Sequence, residues 1–190
     1  MKKIFLTLFF IILSTNLNAS NIQKVYFAGG CFWCMEESFD KVEGVIETIS
    51  GYSGGHVKNP KYEDVVKNTT GHYETLEITY DSSITNFEKL LEIFWINIDP
   101  FDANGQFCDK GESYKSVVFY KNSDQKKIIE TSIKKIENKF NKKVVTYVKN
   151  FNEFYMAETY HQDYYEKNFI RYLMYKKGCQ RDETLSKIWG

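Results

Sequence analysis

The chain has 190 residues, with 25 basic and 25 acidic side chains, 17% aromatic residues and four cysteines. That length supports one domain with a sizeable core rather than two. Balanced charge leaves no basic excess for nucleic acid or an anionic membrane surface, and four cysteines are too few for a disulfide-stapled miniprotein.

The chain opens with Lys2 and Lys3, an apolar run from Ile4 to Leu13, and Leu17-Asn18-Ala19. This is the layout of a secretory signal peptide, with cleavage expected before Ser20. The apolar run is too short to span a bilayer, so no stable membrane insertion is expected after cleavage. Residues 20–190 then form a single domain, periplasmic or secreted and monomeric by default. All four cysteines, at 31, 34, 108 and 179, lie in that part, where export makes redox chemistry the first expectation.

Val25-Tyr26-Phe27-Ala28 reads as a short buried strand, Gly29-Gly30 as a tight turn, and Phe32 to Phe39 as a helix. Cys31 falls at the strand-to-helix junction, where unpaired backbone N–H groups and the helix dipole favour a thiolate, the nucleophilic form. Phe32 and Trp33 can wall an apolar cup beside it. Val42 to Tyr52 has strand composition and leads into the glycine-rich Gly51-Tyr52-Ser53-Gly54-Gly55-His56. That loop lacks GxGxxG and GxxxxGK[ST], which argues against a nucleotide site.

Asn59-Pro60 marks a turn before a short helix over Lys61 to Lys67, and Thr75 to Tyr80 alternates like a half-buried strand. Asn86 can cap a helix to Asn97, with Phe87, Leu90, Leu91 and Phe94 on one face. Asp99 to Glu112 reads as an irregular loop, Ser116 to Tyr120 as a strand, and Ser123 to Phe140 as a long helix with an isoleucine stripe. Lys143 to Val148 reads as a strand and Met156 to Tyr165 as a short helix. The tail from Phe169 is mixed, with Gly178-Cys179 as its expected turn. Strands and helices mix without strict alternation, which predicts an α+β two-layer sandwich with helices on one mixed sheet.

Glu74, in Gly71-His72-Tyr73-Glu74, stands at a strand start. Facing an apolar pocket, its charged form would be disfavoured and it would serve as a proton donor near neutrality. Cys31-x-x-Cys34 has metal-ligand spacing, but no second paired motif accompanies it, so no metal is expected.

Gly30-Cys31-Phe32-Trp33-Cys34, Gly51-Tyr52-Ser53-Gly54-Gly55, Asn59-Pro60-Lys61-Tyr62 and Gly71-His72-Tyr73-Glu74 occur in one order. Gly105-Gln106-Phe107-Cys108-Asp109 with Tyr114, and Tyr160-His161-Gln162-Asp163-Tyr164, complete the set. Together they resemble the peptide methionine sulfoxide reductase A family across essentially all of the mature part. The resemblance implies that Cys31 attacks the sulfur of methionine S-sulfoxide and that Glu74 protonates the oxygen, aided by Tyr62 and Tyr114. Phe32 and Trp33 would cup the substrate methyl group, and Asp109 would help hold the substrate backbone.

The sulfenic acid left on Cys31 must meet a second thiol, and an external dithiol must reduce the resulting disulfide. Cys179 is the first choice, in Cys179-Gln180-Arg181-Asp182-Glu183-Thr184-Leu185, which matches a family subgroup except for Gln180 in place of Gly. Cys108 is a rival, and attack by Cys34 within a helical turn looks awkward. No cofactor is implied beyond a thioredoxin-like reductant. The substrates would be oxidised proteins, peptides or free methionine S-sulfoxide. The main alternative is an exported thioredoxin-like disulfide oxidoreductase working through Cys31 and Cys34, because CxxC between a strand and a helix suits that fold too.

Overall fold

A computed structural model describes residues 21–190. The expected signal peptide at 1–19 lies outside them, and among the described residues no helix is long and apolar enough to cross a membrane. The fold is α+β, as expected. Its centre is a six-stranded mixed sheet in the order β7-β6-β1-β3-β2-β8. These strands are β1 (Ile22–Ala28), β2 (Val45–Ser53), β3 (Tyr73–Asp81), β6 (Val117–Tyr120), β7 (Tyr147–Asn150) and β8 (Phe154–Met156). The two-residue strands β4 (Gly105–Gln106) and β5 (Asp109–Lys110) form a separate small hairpin. All neighbouring pairs in the large sheet are antiparallel except β6 and β7. A parallel pair needs a long crossover, which the 18-residue helix α4 (Ser123–Phe140) supplies.

The period-two pattern of the strands decides what each face covers. Val25 and Phe27 of β1 and Leu76, Ile78 and Tyr80 of β3 share a face with Val118 of β6. Over it pack Met35 and Phe39 of α1 (Phe32–Phe39), Leu90, Leu91 and Phe94 of α3 (Phe87–Ile96), and Ile129 and Ile136 of α4. Tyr26, Ala28, Tyr73 and Phe119 point to the opposite face, where Phe151 stacks on Tyr26 with 3.7 Å between ring centroids. The expected cap forms, Asn86 accepting from the Lys89 N–H at 2.9 Å, and Asn122, which the sequence reading did not single out, caps α4 by accepting from the Gln125 N–H at 2.9 Å.

Several local expectations are corrected. The strand expected over Lys143 to Val148 forms later, at β7, because its place is decided by pairing to β6 and not by composition. Met156 to Tyr165 is not one helix: Phe154–Met156 pairs with β2, then a 3₁₀ turn (Thr159–His161) and the short α5 (Tyr164–Lys167) follow. The tail holds two helices, α6 (Phe169–Gly178) and α7 (Arg181–Trp189). Between them the left-handed residue is Gln180, at φ 51°, while Gly178 ends α6. The loop at 99–112 contains the β4–β5 hairpin, and Tyr62–Val65 is the remaining short helix, α2.

Gly51 shows how closely the edge is built. A Cβ there would lie 2.3 Å from Phe154 Cζ and 2.4 Å from the Tyr155 carbonyl oxygen. Glycine is therefore what lets β8 dock on β2.

Candidate active site

Period two on β3 places Glu74 on the same face as Leu76, Ile78 and Tyr80, the face that α1 covers. Gly30, at φ +80°, turns the chain from β1 into α1 and delivers Cys31 as the residue capping that helix. The N–H of Phe32, one of the helix's free N-terminal donors, gives a 3.1 Å hydrogen bond to Glu74 Oε2. Cys31 and Glu74 thus meet at one spot from two different elements.

They share a pocket of about 70 Å³ lined by Cys31, Phe32, Trp33, Tyr62, Glu74, Asp109, Tyr114 and Tyr175. Every residue expected there is present except Cys179. A larger cleft of about 590 Å³ along the outer edge of β2 is lined by no cysteine or histidine.

Glu74 is only 2% exposed, and burial pushes its pKa well above the usual carboxylate range, with the Asp109 charge adding to the rise. The bond from Phe32 N–H opposes this without reversing it. Burial likewise raises Tyr62, to about 12, and Tyr114 further, and the two hydroxyls are coupled to each other and to Glu74. Three protonated groups therefore converge on one wall of the pocket.

Cys31 departs from the expected resting thiolate. Burial pushes its thiol well up, and the hydrogen bond to Cys34 and the charge of Glu74 push in the same direction. Desolvation outweighs the helix N-terminus here. Cys34 is the more acidic of the two, lowered to about 7 by the hydrogen bond from Cys31 and by the nearby Arg181 charge. The pair meets because Cys31 has non-helical backbone angles (φ −56°, ψ 118°) ahead of the helix that carries Cys34. The Cys31 carbonyl accepts from the Cys34 N–H at 3.2 Å, so the two cysteines span the first turn of α1.

Cys179 does not reach Cys31 in this state. It is disulfide-bonded to Cys108 across a Cα–Cα distance of 4.9 Å, while Cys31 and Cys34 are free and buried. The β4–β5 turn carries Cys108 to the end of α6, where Cys179 caps the helix.

Sequence reading gave no role to three supporting residues. Tyr175 closes the pocket, its hydroxyl donating to Asp109 Oδ2 and facing Cys31. His161, 1% exposed, accepts from Trp33 Nε1–H at 3.2 Å and stays neutral, burial lowering its pKa to about 4. Glu158 accepts from the Tyr62 N–H at 2.9 Å and the Tyr52 hydroxyl at 2.8 Å, tying α2 to β2. His161 stands inside a motif already noticed, Glu158 lies just before it, and Tyr175 is one of 14 tyrosines with nothing local to distinguish it.

A model of the family "Peptide methionine sulfoxide reductase" matches residues 23–190. The chain belongs to this family. It is 48% identical over 174 residues to peptide methionine sulfoxide reductase MsrA of Bacillus licheniformis, covering 90% of this chain and 96% of that one. It is 47% identical over 165 residues to MsrA 2 of Staphylococcus aureus, covering 86% and 93%. Among solved structures, reduced Mxr1 of Saccharomyces cerevisiae matches with a TM-score of 0.72 at 28% identity, over 77% of this chain and 86% of that one. Methionine sulfoxide reductase A of Corynebacterium diphtheriae matches with a TM-score of 0.71 at 27% identity, over 83% and 80%. The thioredoxin-like reading of the Cys31-x-x-Cys34 motif falls with this assignment.

Proposed function

We infer that this chain reduces methionine S-sulfoxide in peptides and proteins, and free methionine S-sulfoxide with them. The observation that carries the reading is the meeting of Cys31 with a buried, protonated Glu74 in one small pocket walled by Phe32 and Trp33. A sulfoxide oxygen is a poor leaving group until it is protonated, so a sulfur nucleophile needs a neutral acid within reach. Glu74 supplies that proton, and the Tyr62 and Tyr114 hydroxyls donate to the oxygen as charge builds on it. Phe32 and Trp33 take the S-methyl group, and Asp109, held by Tyr175, takes the substrate backbone.

Cys31 releases its proton as it attacks. Cys34, hydrogen-bonded to Cys31, is the neighbouring group that shares that proton as the attack begins. Methionine departs and Cys31 becomes a sulfenic acid. A second thiol then displaces water to form a disulfide. Cys34 is adjacent, and Cys179 enters once its bond to Cys108 opens. An external protein dithiol of the thioredoxin class closes the cycle.

The test is methionine release from a synthetic peptide carrying each sulfoxide epimer, with dithiothreitol as reductant. Wild type turning over the S epimer and not the R epimer, with Cys31→Ser inactive, is the expected result. Turnover surviving in Cys31→Ser overturns the reading.

We also propose export, on the basic, apolar and small-residue pattern of residues 1–19. The mass of the mature protein after cell fractionation checks it. An intact Met1 on protein recovered from the cytoplasm refutes it.

A further inference from the structure

The tail motif Cys179-Gln180-Arg181-Asp182 holds an arginine that the chemistry above does not use. Arg181 is the first residue of α7 and only 3% exposed. Gln180, in the left-handed region at φ 51°, turns the chain so that Arg181 enters the interior. Its Nη2 donates to the Asn97 carbonyl at 2.6 Å and lies 3.5 Å from Met35 Sδ. The guanidinium also sits over the Phe107 ring, 4.5 Å from the centroid. Met35 adjoins Cys34, and Phe107 stands two residues before Asp109. The charge is therefore wedged between the segments that carry Cys34 and Asp109.

A guanidinium keeps its charge in a protein, and a buried charge is costly unless a counter-charge meets it. Among the described residues no carboxylate forms an ion pair with Arg181. Its three contacts are all neutral. Its own place at the start of α7 is unfavourable, since the positive end of the helix dipole repels a cation. The C-terminal end of α3, which its bond to Asn97 caps, offers only a partial negative charge. Two other cations act on these groups, and both are compensated. Lys176 pairs with Glu37 at 3.0 Å and Asp182 at 3.1 Å, and Lys110 pairs with Asp102. Around the Cys31/Cys34 pair stand the protonated Glu74 of β3, Tyr172, Tyr175 and Lys176 of α6, and Arg181. Of these, only Arg181 brings a positive charge without an anion of its own.

Resting on the sulfoxide reductase reading above, we propose that Arg181 is the counter-cation of the site, a positioning residue that holds negative charge on the Cys31/Cys34 thiol pair and on Asp109. The electrostatics of both groups agree in direction. Cys34 is lowered to about 7 by its hydrogen bond with Cys31 and by the Arg181 charge. Burial pushes Asp109 up, and Tyr175 and the Arg181 charge draw it back. When the thiol pair gives up a proton, the thiolate forms beside a fixed cation that needs no reorganisation. Asp109, kept ionised by the same cation, continues to accept from Tyr175, which closes the pocket beside Cys31. One tail residue thus prepares both the nucleophile and the carboxylate that takes the substrate backbone.

The thiols can be titrated directly, with no turnover required. With Cys108–Cys179 bonded, only Cys31 and Cys34 ionise as thiols. Ultraviolet thiolate absorbance is followed against pH for wild type, Arg181→Lys, Arg181→Gln and Arg181→Met. Lysine keeps the charge, glutamine keeps a donor for Asn97 without the charge, and methionine keeps only the apolar stem. Circular dichroism identifies which of the two neutral variants folds, and either one suffices. The expected midpoint in Arg181→Lys is that of wild type. In the neutral variants it should rise by about one pH unit, a tenfold change in the ionisation constant. An unchanged midpoint in a folded neutral variant overturns the proposal, and so does a rise in Arg181→Lys equal to that in Arg181→Gln. A purely structural role for Arg181 would lower the melting temperature and leave the midpoint where it is. Absence of methionine release by wild type, with these midpoints as expected, overturns the reductase reading alone.

Discussion

Replacing Glu74 by glutamine isolates its proton from everything else it does. The side chain is 2% exposed, meets the Tyr114 hydroxyl, and accepts a bond from the Phe32 N–H at 3.1 Å. Glutamine has the same shape, and its amide oxygen accepts that bond, so the turn into α1 is preserved. The exchange removes the proton that burial holds on Glu74, and with it the acid that turns the sulfoxide oxygen into a leaving group. A positioned general acid contributes about 10²–10⁴ in rate, which corresponds to about 3–5 kcal/mol of transition-state stabilisation. The assay is single-turnover methionine release by pre-reduced enzyme, so that reductant chemistry does not limit the rate. Wild type should gain rate with pH as the Cys31/Cys34 pair gives up its proton, then lose it as Glu74 ionises at its raised pKa. Glu74→Gln should lose the descending limb along with the rate. A variant within threefold of wild type, or one that keeps the descending limb, refutes the assignment of Glu74 as the acid.

Tyr62→Phe and Tyr114→Phe should each slow the same single turnover about tenfold, the worth of about 1.4 kcal/mol for a hydrogen bond to developing charge. Because the two hydroxyls orient one another, the double variant should lose less than the product of the single losses. Glu36 is fully buried, with Oε1 accepting from the Asp163 N–H and Oε2 unpartnered, and burial raises its pKa from an ordinary 4.5 to about 8. The folded chain then keeps a proton that the unfolded chain releases, so this group lowers stability as pH rises from about 4.5 to about 8. Its slope is about 1.4 kcal/mol per pH unit, and urea unfolding of Glu36→Gln should show that slope removed. Gly51→Ala should destabilise by about 1–3 kcal/mol, because its methyl collides with Phe154 and the Tyr155 carbonyl. Activity should fall with it, as β8 leads directly to Glu158, which holds Tyr62.

The sequence alone determined most of the elements and the chemical identity of the site. Alternation on β3, the isoleucine stripe of α4 and the Asn86 cap are local signals, carried by neighbours along the chain, and they form as read. Cys31 is recognisable because its place between a strand, a glycine turn and a helix is written locally, whereas the acid role of Glu74 comes from the motif order that resembles the family. What the chain could not state locally depends on partners far away in sequence. β8 is a strand only because β2 offers an edge beside Gly51, and the same residues read by composition as a helix. The resting protonation of Cys31 is set by burial and by contacts with Cys34, Glu74 and Tyr175, which outweigh a helix terminus that the sequence does predict. Cys179 was identified as redox-active from its motif, but its pairing with Cys108, 71 residues earlier, follows from where the β4–β5 turn meets the end of α6. Short-range patterns name the residues that do chemistry. Desolvation and long-range pairing decide which of them touch, and which carry the proton.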